Sequence, residues 1–180
     1  MAKRVRAYVG LGANVGDTRA NLRHAVRALA ALHGVRVRGV SRLYRTKPVG
    51  VTDQPDFLNA VVALDVPAGP DFDTGALALL ATLKVLEAAI GRKVRGRWGP
   101  REIDLDLLVF GRHNIKVEGS DGRWLDVPHP QMRQRLFVLA PLADLAPWLG
   151  PPGWGESVET VRRRVAAEEP TNAVQVVGKL

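Results

Sequence analysis

Arg97-Trp98-Gly99-Pro100-Arg101-Glu102-Ile103-Asp104-Leu105-Asp106-Leu107-Leu108-Val109-Phe110 runs from cations through a turn into an apolar stretch that carries two acids. From Ile103 onward every residue except those aspartates is β-branched, aromatic or leucine, which predicts a strand and not a helix. Residues two apart on a strand share a face, so Asp104 and Asp106 project side by side with Ile103, Leu105 and Leu107 behind them. Two neighbouring carboxylates on an apolar strand repel each other and lose hydration, so the pair calls for a positive charge between them. A hard divalent cation such as Mg²⁺ supplies it and is commonly shared with a substrate phosphate. The arginines upstream then face the same phosphates, and Trp98 offers a flat surface for a ring. The competing reading is a strand that leaves the core with two solvated aspartates at its end.

Upstream, the basic loop Arg92-Lys93-Val94-Arg95-Gly96-Arg97 follows an amphipathic helix predicted from about Asp73 to Ile90. Leu77, Leu80, Leu83, Leu86 and Ile90 form its expected buried stripe, and Gly91 ends it. Before it, Phe57 to Val66 reads as a strand in which Asn59 is a lone amide needing partners, from backbone or from a ligand. The irregular connection Lys47 to Asp56 carries two prolines and a glycine, a composition and length that favour a functional loop. Val35 to Thr46 reads as one further strand. Arg4 to Gly12 alternates as another and ends in the turn Gly10-Leu11-Gly12-Ala13-Asn14-Val15-Gly16-Asp17, whose glycines let another group approach the backbone. Asp17 or Thr18 caps a helix with Leu22, Ala25, Val26, Leu29 and Leu32 at helical spacing. His24 and His33 read as surface residues.

The order is therefore strand, helix, strand, strand, helix, strand, which predicts an α+β fold with a ferredoxin-like βαββαβ core: an antiparallel sheet covered by two helices on one face. Beyond Gly111, Ile115-Glu118 and Trp124-Val127 pair as a hairpin. A turn with a short helix over 131–135 follows, then the apolar run Leu136-Leu142, and Ser157 caps a last helix to about Glu168. The tail with Val174, Val176 and Val177 adds an edge strand or frays. The division is residues 1–150 as the working domain and 151–180 as a helix and tail packed on it or frayed from it.

The chain has 180 residues, no cysteine and a net charge of +8 from 26 basic and 18 acidic residues. The absent cysteines exclude a disulfide framework, a thiolate zinc site and a cysteine nucleophile. No apolar run approaches the roughly 20 residues of a membrane span, and no signal-peptide core is present, so a cytoplasmic protein is expected. The positive charge implies attraction to a polyanion, either nucleic acid or a polyphosphate substrate. Arg19, Arg23, Arg27, Arg162, Arg163 and Arg164 read as solvated helix faces.

Four blocks together resemble a known family: Tyr8 to Asn14; Ser41 to Thr46 with Asp53 to Asn59; Arg97 to Gly111; and Val127-Pro128-His129-Pro130 with Arg135 and Phe137. The third block is the most specific. The chain resembles 6-hydroxymethyl-7,8-dihydropterin pyrophosphokinase, which uses two Mg²⁺ ions on a ferredoxin-like scaffold to transfer the β,γ-diphosphate of ATP to the pterin hydroxymethyl group, giving AMP. The resemblance implies that Asp104 and Asp106 hold both metals, and that Arg92 and Arg101 grip the transferring phosphates. It implies that Trp98 closes near the pterin and the nucleotide, and that His129 and Arg135 contact the ATP phosphates. Lys84 and Glu87 match nucleotide-side helix positions, where a solvated face is the alternative. Thr46, Pro48, Val49, Phe57, Asn59 and Phe137 fall on pterin positions, with the two rings stacking on the pterin and Asn59 pairing with its amide edge. Ala13 stands where serine is frequent, Pro130 where some members carry an aromatic, and the basic loop is a residue shorter, so Arg95 receives no role. ATP and the pterin are the implied partners, with no nucleic acid, no membrane and a monomeric chain. A basic RNA-binding platform and a different Mg²⁺-dependent nucleotide transferase are the competing readings. Against the first stand the lack of an RNP1 pattern and an aromatic content of only 6%.

Overall fold

The computed structural model describes residues 3–48, 50, 52–93, 95, 99–118, 122, 124–170 and 173–180. Strand β1 (Arg4–Ala13) leads to helix α1 (Thr18–Ala31), then strands β2 (Arg36–Val40), β3 (Arg42–Thr46) and β4 (Phe57–Pro67), and helix α2 (Phe72–Ile90). Strand β5 (Asp104–Phe110), the hairpin β6 (Ile115–Glu118) and β7 (Trp124–Val127), helices α3 (Leu136–Leu145) and α4 (Val158–Glu168), and strand β8 (Val174–Lys179) complete it. The main sheet has the order β5-β1-β4-β3-β8, with β2 also on β4, and each pairing is antiparallel.

The ferredoxin-like core is present, with two local departures from the sequence reading. The strand expected from Val35 to Thr46 is divided at Ser41. There the hydroxyl accepts from the Val61 N–H while the Ser41 N–H donates to the Val61 carbonyl, so a side chain takes over one rung of the ladder. Helices also cover both faces of the sheet, not one. Leu22, Ala25 and Leu29 of α1 and Ala76, Leu79 and Leu83 of α2 pack on one face. On the other, Leu139 and Leu142 of α3 and Val161 of α4 close over Tyr8, Tyr44, Val61 and Leu108. The run Leu136–Leu142 is apolar all round because α3 lies between the sheet and α4, where it has little solvent face.

Helix α2 is capped by Asp71, which accepts from the Thr74 N–H at 2.8 Å, and it ends at Gly91 in the left-handed region at φ 99°. Its buried face is rotated from the predicted stripe. Gly75, Ala76, Leu79, Leu83 and Glu87 are buried, whereas Leu77, Leu80, Leu86 and Ile90 are partly exposed. Leucine and alanine occupy nearly every side of this helix, so periodicity alone does not select a face. Close approach decides it, because a Cβ at Gly75 would stand 2.1 Å from the Ala68 carbonyl oxygen.

Glu87 is inside, only 3% exposed, because β5 is an edge strand. The Leu105 N–H on that edge donates to Glu87 Oε1 at 2.7 Å, and the Leu105 carbonyl accepts from Lys84 Nζ at 3.1 Å. Lys84 and Glu87 are themselves paired at 2.8 Å. Two helix side chains thus satisfy backbone groups that a neighbouring strand would otherwise take. Among the described residues, no helix is long and apolar enough to cross a membrane. His24 and His33 are exposed, as read from the sequence. The arginines of α4 are ion-paired within their own neighbourhood: Arg162 and Arg163 with Glu159, and Arg164 with Glu156.

Replacing Glu87 by alanine strands the Leu105 N–H and removes the counter-charge of two cations, so it lowers the unfolding free energy by about 2–3 kcal/mol. Glu87→Gln keeps an acceptor for that N–H and recovers part of the loss. Urea denaturation of the two variants measures both, and an alanine variant as stable as the parent would contradict the edge-capping role.

Candidate active site

Period-two alternation sends Asp104, Asp106 and Leu108 of β5 to the α3 face of the sheet, beside Gly10 and Gly12 of β1 and Asn59 and Val61 of β4. These residues floor a cavity of about 310 Å³. Thr46, Lys47, Gln54 and Phe57 form one wall, and His129, Gln131, Arg135, Phe137 and Val138 form another. Glycine at position 12 matters here, since a Cβ would lie 3.0 Å from Asn59 Oδ1. The small floor lets the amide lie across β1.

One end of the cavity suits a flat, hydrogen-bonding ring. Asn59 is 7% exposed and donates through Nδ2 to Thr46 Oγ1 at 2.7 Å. The Thr46 hydroxyl, accepting there, keeps its own proton to donate. Phe57 and Phe137 both line this cavity, and Arg135 stands 5.5 Å over the Phe137 ring.

The other end is charged. Asp104 is held by Arg92 Nη1 at 2.6 Å through one oxygen and by Arg101 Nη1 through the other. Arg92 also reaches back to Glu87 at 2.5 Å, so the buried acid under β5 and the acid on the cavity floor share one guanidinium. Burial, and then the charge of Asp104, push the Asp106 carboxyl up to about 6. Burial, and then nearby Arg135, push His129 down, so its imidazole is neutral at pH 7. Its Nδ1 accepts from the Gln131 N–H at 3.3 Å, which leaves the proton on Nε2 as a donor.

Asn14 ties the two ends together. Its amide donates to Gln54 Oε1 at 2.9 Å and to the Pro55 carbonyl at 3.0 Å, while its Oδ1 accepts from the Arg101 N–H at 2.8 Å. The backbone N–H groups of Asn14 and Val15 donate to the Arg101 carbonyl. A residue 3% exposed thus links the loop beside Phe57 to the loop preceding Asp104.

Of the residues singled out from the sequence, Thr46, Phe57, Asn59, Arg101, Asp104, Asp106, His129, Arg135 and Phe137 meet in this cavity. Lys84, Glu87 and Arg92 stand at the outer edge of β5 and do not line it, and neither does Pro48. The solvated-face alternative fails for Glu87, which is buried. Val49, Arg97 and Trp98 lie outside the described residues. Sequence reasoning gave no role to Asn14, Gln54 or Gln131. The available signal was an asparagine directly after a strand and its glycine turn, a place where every amide atom needs a partner.

Among the described residues, no three His, Cys, Asp or Glu side chains converge as a metal cage. Two carboxylates alone, one of them electrostatically strained by the other, fit an ion that takes its remaining ligands from water and phosphate oxygens, as Mg²⁺ does.

The profile of the 7,8-dihydro-6-hydroxymethylpterin-pyrophosphokinase (HPPK) family matches residues 8–147. The chain is 45% identical over 171 residues to a 2-amino-4-hydroxy-6-hydroxymethyldihydropteridine pyrophosphokinase of Methylorubrum extorquens, covering 95% of this chain and 98% of that protein. It is also 45% identical over 139 residues to the Bacillus subtilis protein of the same name, covering 77% of each. Among solved structures, a Plasmodium falciparum HPPK-DHPS with pteroate superposes with a TM-score of 0.72 at 14% identity. That match covers 93% of this chain and 43% of the longer one, and it speaks to the fold. The chain belongs to the 7,8-dihydro-6-hydroxymethylpterin-pyrophosphokinase family.

Proposed function

We propose that this chain performs its family's reaction as an Mg²⁺-dependent transfer in which Asp104 and Asp106 hold two ions against the ATP triphosphate. The activity itself, pyrophosphoryl transfer to 6-hydroxymethyl-7,8-dihydropterin in folate biosynthesis, follows from family membership. The observation that carries the finer reading is the strained carboxylate pair on the floor of a cavity whose opposite end offers an amide, a hydroxyl and two phenyl rings.

In this reading the pterin lies between Phe57 and Phe137, with its amide edge on Asn59 and Thr46. That places its hydroxymethyl oxygen toward Asp104 and Asp106. The oxygen forms a bond to the β-phosphorus of ATP, the bond from that phosphorus to the α,β-bridging oxygen breaks, AMP leaves with that oxygen, and the hydroxyl proton passes to solvent water. When bound, Mg²⁺ neutralises the triphosphate and polarises the attacking oxygen. The protein's own share is alignment and charge. Arg101 and Arg135 face the developing negative charge, and His129 donates from Nε2 to a phosphate oxygen. Arg92, which now pairs with Asp104, would be free to join Arg101 on the phosphates were Asp104 to hold an ion. Lys84 and Glu87 hold β5 on the nucleotide side, and the roles of Trp98, Val49 and Pro48 rest on the family resemblance alone. A monomer working in the cytoplasm, where ATP, Mg²⁺ and the pterin are available, completes this reading.

Incubation with MgATP and 6-hydroxymethyl-7,8-dihydropterin yields AMP; ADP as the product would indicate a different kinase chemistry. Asp104→Ala and Asp106→Ala each lower kcat by about 100-fold or more with the circular dichroism spectrum retained. Turnover near the parent's in either would refute the metal assignment. Arg101→Ala slows transfer more than it weakens pterin binding, and a loss confined to pterin affinity would remove it from the phosphates.

A pH dependence follows from Asp106. Its carboxyl titrates near 6 in the metal-free fold, above the value of roughly 3.9 for an exposed aspartate. Between those values the folded state binds the extra proton, so the contribution of this one carboxyl to stability is fully present below about pH 4 and is lost as pH rises through 6. Asp106→Asn removes this cost, on the order of 1–2 kcal/mol after screening at the cavity mouth. The metal-free variant therefore melts higher than the parent at pH 8 and no higher at pH 4, as calorimetry at the two pH values measures.

A further inference from the structure

The family profile ends at residue 147, yet the chain goes on to place a strand beside the cavity. Strand β3 pairs with β4 through only three residues, Tyr44, Arg45 and Thr46. On its other side it pairs with β8, with Thr46 opposite Val174, Arg45 opposite Gln175 and Tyr44 opposite Val176. Without β8, the strand that carries Thr46 would be the open edge of the sheet, held by a short ladder and followed at once by the irregular segment containing Lys47 and Gln54.

The tail is anchored from both sides of the sheet. Val174 packs into the α3-side core, and Val177 and Leu180 into the α1-side core. Arg19 of α1 donates to the Lys179 carbonyl at 3.0 Å and to the Val177 carbonyl at 3.4 Å. An arginine that reads from the sequence as a solvated helix face is therefore a clamp on the last strand.

We propose that β8, clamped by Arg19, is a positioning element for the pterin end of the cavity. The inference rests on the assignment of Thr46 and Asn59 to the pterin. Thr46 Oγ1 and the Asn59 amide form one hydrogen-bonding surface whose two halves sit on neighbouring strands, so their spacing depends on how firmly β3 is held against β4. Asp104 and Asp106 lie on β5, at the opposite edge of the order β5-β1-β4-β3-β8. Loosening β8 therefore acts on one ligand and spares the other.

The test compares the full chain, a chain ending at Pro170, Arg19→Ala and Arg19→Lys by calorimetry. Each is titrated with 6-hydroxymethylpterin under saturating Mg²⁺ and a nonhydrolysable ATP analogue, and separately with the analogue alone. The shortened chain loses about tenfold in pterin affinity and Arg19→Ala about threefold, Arg19→Lys stays within about twofold of the parent, and analogue affinity changes by less than about twofold throughout. If the shortened chain does not fold, the two Arg19 variants decide. Unchanged pterin affinity in a folded variant that lacks the clamp, or equal losses for both ligands, would overturn the role of β8. A full chain that binds the analogue and no pterin would overturn the assignment of the cavity itself, and this inference with it.

Discussion

The repulsion between Asp104 and Asp106 is the constraint around which the rest of the site is arranged. Two carboxylates projecting from one strand into a partly buried cavity cannot both be ionised without compensation, and the fold answers on two sides. Arg92 and Arg101 grip Asp104, while burial and the neighbouring charge push the Asp106 carboxyl up to about 6. The guanidinium groups of Arg92 and Arg101 thus occupy the place that the proposed function gives to cations.

That arrangement depends on β5 being held at the rim of the sheet without a neighbouring strand. Lys84 and Glu87 of α2 supply the missing ladder partners at Leu105, and Glu87 then shares Arg92 with Asp104. The same buried acid secures the strand and holds Arg92, which in turn pairs with Asp104 on the cavity floor. Asn14 performs the corresponding task across the cavity, joining Gln54 and Pro55 near the apolar wall to the backbone of Arg101 near the charged one. The apolar and charged ends of the cavity are thus connected through the buried amide of Asn14.

Excess positive charge has a more local meaning than the count of +8 suggests. Arg162, Arg163 and Arg164 are paired with Glu159 and Glu156 on or beside α4, and Arg19 is committed to the carbonyls of β8. Among the described residues, the cations facing the cavity, Lys47, Arg101 and Arg135, are few and placed. This distribution suits a bounded polyanion such as a triphosphate better than a long nucleic-acid track.

The one-dimensional pattern was enough for the order of the βαββαβ core, the shared face of Asp104 and Asp106, the hairpin of β6 and β7, and the capping serine of α4. Each depends on neighbours close along the chain, within about a dozen residues, where local backbone geometry relates side chains. It could not reveal which face of the leucine-rich α2 is buried, since the backbone contact at Gly75, where a Cβ would stand 2.1 Å from the Ala68 carbonyl oxygen, and the needs of the β5 edge decide that. Nor could it show the break at Ser41, the helices on both faces of the sheet, the bridging role of Asn14, or the clamp of Arg19 on residues about 160 positions later. Those features join atoms distant along the chain, and only the closed sheet, by setting register and bringing loops together, determines which polar groups meet.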